Sequence, residues 1–280
     1  MLKKAYLEIT NVCNLACSFC HGTKREKMFM SVENFKIAAE KIRPHAEYLY
    51  FHLMGEPLLH PELETLFAIA ADLGFKVIIT TNGTLLKRSE SVLLGAKALH
   101  KVSISVHSFE GNKVDFSSGS YLDNCVCFAK KLSGNGKICV LRLWNLGNSS
   151  DSDSFNNELL DGLSKSFPKP WKQVYSGYKL CDRVFVEWGN RFEWPDEASA
   201  EVGEKHSCYG LRDQIGVLCD GTVVPCCLDA DGVINLGNIF ESDLQDILNS
   251  TRATELRKSF ECKKVTEELC KRCGFAARFV

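Results

Sequence analysis

The chain has 280 residues, of which 45% are hydrophobic and 25% are charged, the composition of an ordinary globular protein. Its 34 Lys and Arg residues balance 35 Asp and Glu residues, so the charge predicts no nucleic-acid partner. The sequence shows neither an apolar signal segment nor a run long enough to cross a bilayer, and we expect a cytoplasmic protein with no membrane partner. The unusual number is 14 Cys, since clustered cysteines in a reducing compartment are more typical of metal sites than of disulfides.

Strand-like and helix-like segments alternate along the first two thirds of the chain. Six such strand–helix units with short connections predict an α/β fold with a parallel sheet and helices outside it. This pattern alone leaves a barrel and an open, doubly wound sheet as alternatives. The predicted strands are 5–10, 47–53, 75–80, 102–106, 137–143 and 184–187, and the predicted helices are 31–43, 61–73, 85–99, 121–132 and 155–167.

The pattern changes near Ala200. Two strand-like runs, 214–219 and 222–226, flank an Asp-Gly pair, which is a strong signal for a hairpin, and a helix is predicted over 243–259. We therefore predict two domains, a large one over 1–200 and a small Cys-rich one over 201–280.

Three cysteines, Cys13, Cys17 and Cys20, follow the first predicted strand within eight residues. Three thiolates on one short loop can bind three irons of a [4Fe–4S] cluster and leave the fourth iron open to a small molecule. A zinc site completed by His21 is an alternative, although zinc usually takes four protein ligands that include a distant pair. A chance group of core cysteines is a weaker alternative, because Asn14 and Ser18 make the loop polar.

This cysteine spacing, with an aromatic residue at Phe19 and a place after the first strand of a six-unit chain, resembles the radical S-adenosylmethionine (SAM) enzymes. The resemblance implies a partial (β/α)6 barrel of the TIM type over about 5–190. It also implies a SAM-binding [4Fe–4S] cluster, reductive cleavage of SAM to a 5′-deoxyadenosyl radical, and hydrogen abstraction from a substrate. Phe19 would lie near the adenine, and an external protein such as flavodoxin or ferredoxin would donate the electron.

Two further motifs match that family. Gly55 and Glu56, after the second strand, resemble the Gly-Gly-Glu motif that contacts the methionine part of SAM, with Met54 in place of the first glycine. By this resemblance, Glu56 would accept a hydrogen bond from the SAM ammonium group. Thr81 and Asn82, at the end of the third strand, resemble the family's Thr-Asn-Gly segment beside SAM. Without the resemblance, these motifs could be a helix-start turn and a strand-ending turn.

Polar residues also mark the fourth and fifth strands. Ser105 and His107 share a face by alternation at the carboxyl end of the fourth strand, where barrel enzymes place functional groups. Ser105 resembles a ribose- or carboxylate-binding position, and His107 could be a substrate base or hydrogen-bond donor, or a structural residue. Arg142 lies among apolar residues, where an unpaired charge is costly. It could bind the SAM carboxylate or make a structural ion pair.

Four late cysteines supply a second candidate ligand set. Cys208, Cys226, Cys270 and Cys273 resemble the ligands of the Twitch half-domain, a short relative of the SPASM domains of radical SAM enzymes. Because the sequence stops at Val280, we expect one auxiliary [4Fe–4S] cluster, with a zinc ribbon as the alternative. Cys227 would point away from that cluster if the strand is extended there, and could be a buried thiol, another ligand or a hydrogen-atom donor.

These observations and the resemblance imply a radical SAM enzyme that oxidises a small molecule, in which the auxiliary cluster could accept the second electron or simply anchor the domain. A peptide- or protein-modifying maturase, acting as an epimerase or crosslinker, is the first alternative. A non-catalytic iron–sulfur or zinc protein is the second, but an electron carrier has no need of an open iron or of the Gly55 and Asn82 motifs. The segment 187–195 mixes aromatic and charged residues, and is either an interdomain linker or a wall that shields the substrate from water.

Overall fold

The computed structural model describes residues 2–112, 120–147 and 150–279. The strands in these ranges form one sheet in the order β10-β9-β1-β2-β3-β4-β5-β8-β7-β6. Their bounds are β1 Lys4–Leu7, β2 Tyr48–Tyr50, β3 Lys76–Thr81, β4 Leu99–Ser105, β5 Ile138–Leu146, β6 Lys172–Val174, β7 Gly177–Cys181, β8 Val184–Asn190, β9 Gln214–Val217 and β10 Val223–Val224.

Six strands, β1 to β5 and β8, pair in parallel with their neighbours and correspond to the six predicted strands. Helices follow the early strands, as parallel pairing requires a crossover connection. The predicted partial (β/α)6 barrel is confirmed. The helices are α1 Val32–Ile42, α2 Leu63–Asp72, α3 Leu86–Gly95, α4 Ser108–Gly111, α5 Ser120–Gly134, α6 Ser150–Ser166, α7 Leu244–Asn249, α8 Thr251–Glu261 and α9 Glu268–Lys271.

Local sequence explains where several helices begin. The side chain of Ser31 accepts a hydrogen bond from the Asn34 backbone and caps α1. Ser250 accepts likewise from the Ala253 backbone (3.3 Å) and starts α8. The single helix predicted over 243–259 is therefore wrong, because this internal N-cap divides it into α7 and α8.

The antiparallel pair β6 and β7 was not predicted. It extends the sheet beyond β8, with Val174 opposite Gly177 at its turn. The two strands are short, and β6 carries Lys172 and Gln173, so no alternation of apolar residues marked it.

The C-terminal hairpin joins the same sheet. β9 pairs in parallel with β1, with Lys4 opposite Gln214, and β10 pairs antiparallel with β9. The backbone of residues after Ala200 is thus hydrogen-bonded directly to the first strand. The division into 1–200 and 201–280 stays a prediction.

The apolar core lies between the outer face of the sheet and the helices. Phe35 of α1 and Phe67 of α2 both contact Phe51, with ring centroids 5.3 Å apart in each pair, and all three side chains are buried. The opposite face of the sheet is lined by polar residues around a cavity, which is described below. Among the described residues, no helix is long and apolar enough to cross a membrane.

Candidate functional site

The loop after β1 carries Cys13, Cys17 and Cys20. The first and third are exposed, and Cys17 is half-buried. The Cys20 backbone N–H donates to the Cys17 carbonyl oxygen (3.0 Å), which makes a tight turn. Partial burial raises the pKa of the Cys13 and Cys17 thiols, so their thiolates need a nearby positive charge.

The short helix α4 supports this loop. Asn112, directly after α4, donates from Nδ2 to Cys17 Sγ (3.0 Å) and accepts at Oδ1 from the Ala16 backbone (3.3 Å). The Gly111 carbonyl oxygen accepts from the Ser18 backbone (2.9 Å). Sequence analysis missed Asn112, because an asparagine at the end of a helix is ordinarily read as a cap.

Gly55 allows the second-strand motif to pack against the first strand. Its φ is 76°, and a Cβ atom at this position would collide with the Thr10 carbonyl oxygen. The next residue, Glu56, donates its backbone N–H to the Val12 carbonyl oxygen (2.8 Å). A glycine is therefore required here for both conformation and space.

The Glu56 side chain is buried, with 1% exposure, and joins two motifs. Its Oε1 accepts from Thr81 Oγ1 (2.8 Å) and from the Leu58 backbone (3.1 Å), and its Oε2 accepts from the Asn82 backbone (2.7 Å). Burial raises the pKa of this carboxyl, although the three bonds favour its charged form. Glu56 thus holds the ends of β2 and β3 together, a role that sequence analysis did not assign. Its contact with an ammonium group stays a prediction.

Asn82 connects β3 to the cysteine loop. Its Nδ2 donates to Asn14 Oδ1 (2.9 Å), and its backbone carbonyl oxygen accepts from the Tyr121 hydroxyl (2.7 Å). Its Oδ1 accepts from the Thr84 hydroxyl (2.7 Å). Gly55, Glu56, Thr81 and Asn82 therefore form one group with the loop that carries the three cysteines.

A second group of predicted residues lines a cavity of about 360 Å³ on the inner side of the sheet. All six parallel strands contribute to this cavity, which we call the barrel pocket. Its lining includes five of the predicted site residues, namely Phe19, Ser105, His107, Arg142 and Cys227.

His107 is held in one protonation state. Its Nδ1 lies 2.9 Å from the Arg142 carbonyl oxygen, which can only accept, and 3.5 Å from the Trp144 backbone nitrogen, so the shorter contact assigns the proton to Nδ1. Burial lowers the pKa of His107 to about 4, and the imidazole is neutral at pH 7. Its ring centroid is 4.7 Å from that of Phe19. The free Nε2 is a hydrogen-bond acceptor, which favours the predicted role of a base over that of a donor.

Arg142 has an open guanidinium group. Its Nη1 donates to Thr80 Oγ1 (3.3 Å), and its Cζ lies 3.6 Å from the centroid of the Trp144 ring. Burial lowers the pKa of Arg142, which makes an anionic ligand favourable there. The alternative of a structural ion pair finds no carboxylate partner among residues 2–112, 120–147 and 150–279.

The four late cysteines line a separate cavity of about 280 Å³, the cysteine cavity. Burial raises the pKa of all four thiols, well above the ordinary value for Cys226 and Cys270 and to about 11 for Cys273. The chain brings them together from three places. Cys208 precedes β9, Cys226 follows β10, and Cys270 and Cys273 lie in and after α9.

Both cysteine sets fit an iron–sulfur cluster. Buried thiolates are costly unless a metal supplies positive charge. In the part of the chain that is described, no three His, Cys, Asp or Glu side chains converge on one point as ligands of a single ion would. A [4Fe–4S] cluster places a different iron at each thiolate and so accommodates separated thiols around a space.

Cys227 lies between the two cavities. It lines both of them, whereas Cys226 lines only the cysteine cavity. Burial raises the pKa of its thiol, and Lys4 and Tyr6 act in the opposite direction. The extended strand that we expected to set the direction of the Cys227 side chain is wrong. β10 ends at Val224, and Cys226 and Cys227 follow in a turn.

Sequence analysis also missed Lys4, His52 and Lys101, which line the barrel pocket. Lys4 alternates with Tyr6 on β1, and Lys101 alternates with Ser103 and Ser105 on β4. A polar residue at every second position of a buried strand was the signal that could have found them.

Two family models match the chain. The model described as the radical SAM superfamily matches residues 7–148, half of the chain, and the model described as an iron–sulfur cluster-binding domain (SPASM) matches residues 208–274.

Known proteins of several activities are similar in sequence. The sporulation killing factor maturation protein SkfB of Bacillus subtilis is 23% identical over 92% of this chain and 67% of its own length. The subtilosin biosynthesis protein AlbA of the same organism is 24% identical over 97% of this chain and 65% of its own. The chain thus spans about two thirds of these relatives. A GTP 3′,8-cyclase of Aquifex aeolicus is 31% identical over 40% of this chain and 37% of its own.

Solved structures share the fold at low identity. BtrN in complex with AdoMet and 2-DOIA is 18% identical, covers 98% of this chain and 93% of its own, and has a TM-score of 0.62. SuiB of Streptococcus suis bound to S-adenosylmethionine is also 18% identical, over 98% of this chain and 72% of its own, with a TM-score of 0.65. The chain is therefore an enzyme of the radical SAM superfamily, with SAM, a SAM-binding [4Fe–4S] cluster and a SPASM-type auxiliary cluster as its cofactors.

Proposed function

We propose that this enzyme abstracts a hydrogen atom from a small molecule in the barrel pocket and oxidises it by two electrons. When bound, the SAM-binding cluster and SAM supply the 5′-deoxyadenosyl radical that abstracts the hydrogen. The protein's own part is to bind both molecules, exclude water and accept the proton that an oxidation releases.

The residues of the site divide these tasks. Cys13, Cys17 and Cys20 would hold the SAM-binding cluster. Gly55 would let SAM approach the backbone, and Arg142 would bind the carboxylate of SAM. Thr81, Asn82 and Glu56 keep the loop in place through the bonds described above. Ser105 lies in register with Arg142 on the next strand. Phe19 would lie near the adenine.

His107 is placed to accept a proton. Its neutral ring carries a free Nε2 at the edge of the barrel pocket. Phe19 covers one side of the ring, and Trp194 donates from Nε1 to the Phe19 carbonyl oxygen (3.1 Å), which fixes this aromatic cover. This bond favours the interpretation of segment 187–195 as a wall that shields the substrate from water. Four residues of the segment also line the pocket, namely Glu187, Arg191, Phe192 and Trp194.

One observation carries the proposal of an oxidation: the barrel pocket and the cysteine cavity share a wall of six residues, namely Lys4, Tyr6, Trp144, Phe192, Cys227 and Leu228. Removal of a hydrogen atom and a proton from a substrate leaves one electron that needs an acceptor. A cluster held by Cys208, Cys226, Cys270 and Cys273 would be separated from the pocket by this wall alone.

The test is turnover under anaerobic conditions with dithionite and SAM. A size-fractionated metabolite extract is added to the reconstituted enzyme, and mass spectrometry follows 5′-deoxyadenosine and any metabolite that loses two hydrogens. We expect both in the wild type. Absence of 5′-deoxyadenosine would disprove the SAM chemistry, and incorporation of solvent deuterium into the product would disprove the oxidation.

Peptide modification is the second candidate, favoured by the similarity to SkfB, AlbA and SuiB. An epimerase needs a hydrogen donor, and Cys227 is the thiol that faces the barrel pocket. Cys227→Ala is expected to leave an oxidation working, whereas it would stall an epimerase that uses this thiol. We also propose a cytoplasmic location, since all 14 cysteines are free, and, from the membership in the radical SAM superfamily, a flavodoxin or ferredoxin as electron donor.

A further inference from the structure

The inner face of this barrel is polar where barrels are ordinarily apolar. In the usual TIM barrel, the inward side chains of the strands pack into layers of bulky apolar residues. Here the inward positions of β4 are Lys101, Ser103 and Ser105, and those of β1 are Lys4 and Tyr6. A barrel interior of this kind is stable only when polar groups or a ligand satisfy it.

Four cationic side chains, Lys4, Lys101, Arg142 and Arg191, line the barrel pocket with one carboxylate, Glu187. Lys4, Lys101 and Arg142 make no ion pair within the described ranges. The Asp213 carboxylate acts on Lys4 from a distance, but it is bonded to Lys3 (2.9 Å). Burial lowers the pKa of both lysines, and the charge of Arg142 acts in the same direction. Glu187 offsets part of the charge on Lys101 and Arg142, and the pocket keeps an excess of positive charge.

His52 also lines the pocket, and its Nδ1 is fully buried with no hydrogen-bond partner among the residues described. This nitrogen is closed to solvent, so other atoms of the ring line the pocket. A neutral imidazole beside the lysines adds no negative charge that would offset theirs.

We propose that the substrate carries an anionic oxygen group, a phosphate or a carboxylate, which binds in the barrel pocket between Lys4 and Lys101, while Arg142 is left to the carboxylate of SAM. Lysine and arginine recognise both groups through charge-assisted hydrogen bonds. Lys4 is the first residue of β1 and Lys101 the third of β4, whereas Phe19 and His107 lie beyond the carboxyl ends of these strands. The anion would thus anchor one end of the substrate deep in the barrel. This inference rests on the proposed function and names its substrate class.

The test measures anion binding by the reconstituted holoenzyme under anaerobic conditions. Isothermal titration with inorganic phosphate and with succinate, at constant ionic strength against chloride, distinguishes the two sources of the charge. We expect saturable binding of at least one of them. Each of the variants Lys4→Met and Lys101→Met should weaken it by about tenfold or more, because each removes one charge-assisted hydrogen bond.

Two further variants separate binding from folding. Lys76→Met is the matched control, since Lys76 contacts a tyrosine ring as Lys4 does but is exposed and paired with Glu47 (2.7 Å). Lys101→Arg keeps the charge and should retain binding. Equal weakening by Lys76→Met, or equal affinity in wild type and Lys101→Met, would overturn the proposal. Wild-type protein that forms 5′-deoxyadenosine but binds neither probe would refute this inference while the SAM chemistry stands.

Discussion

The two cysteine sets of this enzyme are built in different ways. Cys13, Cys17 and Cys20 lie on one loop of eight residues, and two of them are exposed. Cys208, Cys226 and the pair after α8 come together only when the C-terminal segment has packed against the barrel.

This difference separates two kinds of metal site. A local loop needs only its supports, such as Glu56, Asn82 and Asn112, and its loss should change the chemistry more than the fold. A site collected from distant segments links its metal to the folding of those segments, because the ligands are far apart in an unfolded chain.

The largest effect is expected when the local loop loses its ligands. Cys13→Ala, Cys17→Ala and Cys20→Ala combined should abolish 5′-deoxyadenosine formation, because no SAM-binding cluster can assemble. Iron per chain should fall from about eight to about four atoms, from the stoichiometry of the clusters. Anaerobic iron analysis and chromatography measure both. If this variant still cleaves SAM, the assignment of the loop is wrong.

The next effect concerns the collected site. Cys270→Ala with Cys273→Ala should also remove about four irons, since two of the four thiolates are gone. We further expect proteolysis of residues after Ala200 to become faster, whereas the loop variant should resist it. Cys127→Ala with Cys262→Ala, two exposed cysteines outside both sets, is the control. Zinc in place of iron at this site in the wild type would contradict an auxiliary [4Fe–4S] cluster.

A smaller effect is expected from the support of the loop. Glu56→Gln places an amide where three donors converge, and we expect a loss of about 1–3 kcal/mol in the free energy of unfolding. Glu62→Gln, on the exposed surface six residues later, should change it little. Urea denaturation of both variants checks this. Equal stability of the two would mean that the buried carboxylate does not hold the motifs together.

The smallest effect is expected at Asn112. Asn112→Ala removes the hydrogen bond to Cys17 Sγ and should make the reduction potential of the SAM-binding cluster more negative, because hydrogen bonds to ligand sulfurs raise it. Asn135→Ala, which removes a side-chain bond to the Leu94 carbonyl oxygen, is the control. A redox titration followed by electron paramagnetic resonance compares them. An unchanged potential would show that Cys17 is not a ligand or that the bond is lost in the loaded enzyme.

The sequence predicted what local patterns can express. The six parallel strands follow from alternating segments, and the three-cysteine loop follows from its spacing alone. The hairpin of β6 and β7 has too few apolar residues to be predicted from the sequence pattern. Ser250 caps α8, and only the folded chain shows that it divides the predicted helix into α7 and α8. The roles of Asn112 and of the buried oxygens of Glu56 depend on contacts between segments distant in sequence.

The barrel pocket shows the same limit. Ser105 and Arg142 were singled out one by one, yet the charge of the pocket depends on Lys4 and Lys101 at the same time. These lysines are almost a hundred residues apart and become neighbours only through the closure of the strands into a barrel. Each of them, taken alone, is an ordinary strand lysine.

The short turn at Asp220-Gly221 constrains insertions in this chain. Because β10 pairs with β9, one residue added at the turn would shift the following segment by one position. Pro225 would then take the place of Cys226, and Cys226 would take the place of Cys227 in the wall between the cavities. Surface turns usually tolerate such length changes. This one should not, and the iron content of a single-residue insertion at the turn would measure the cost.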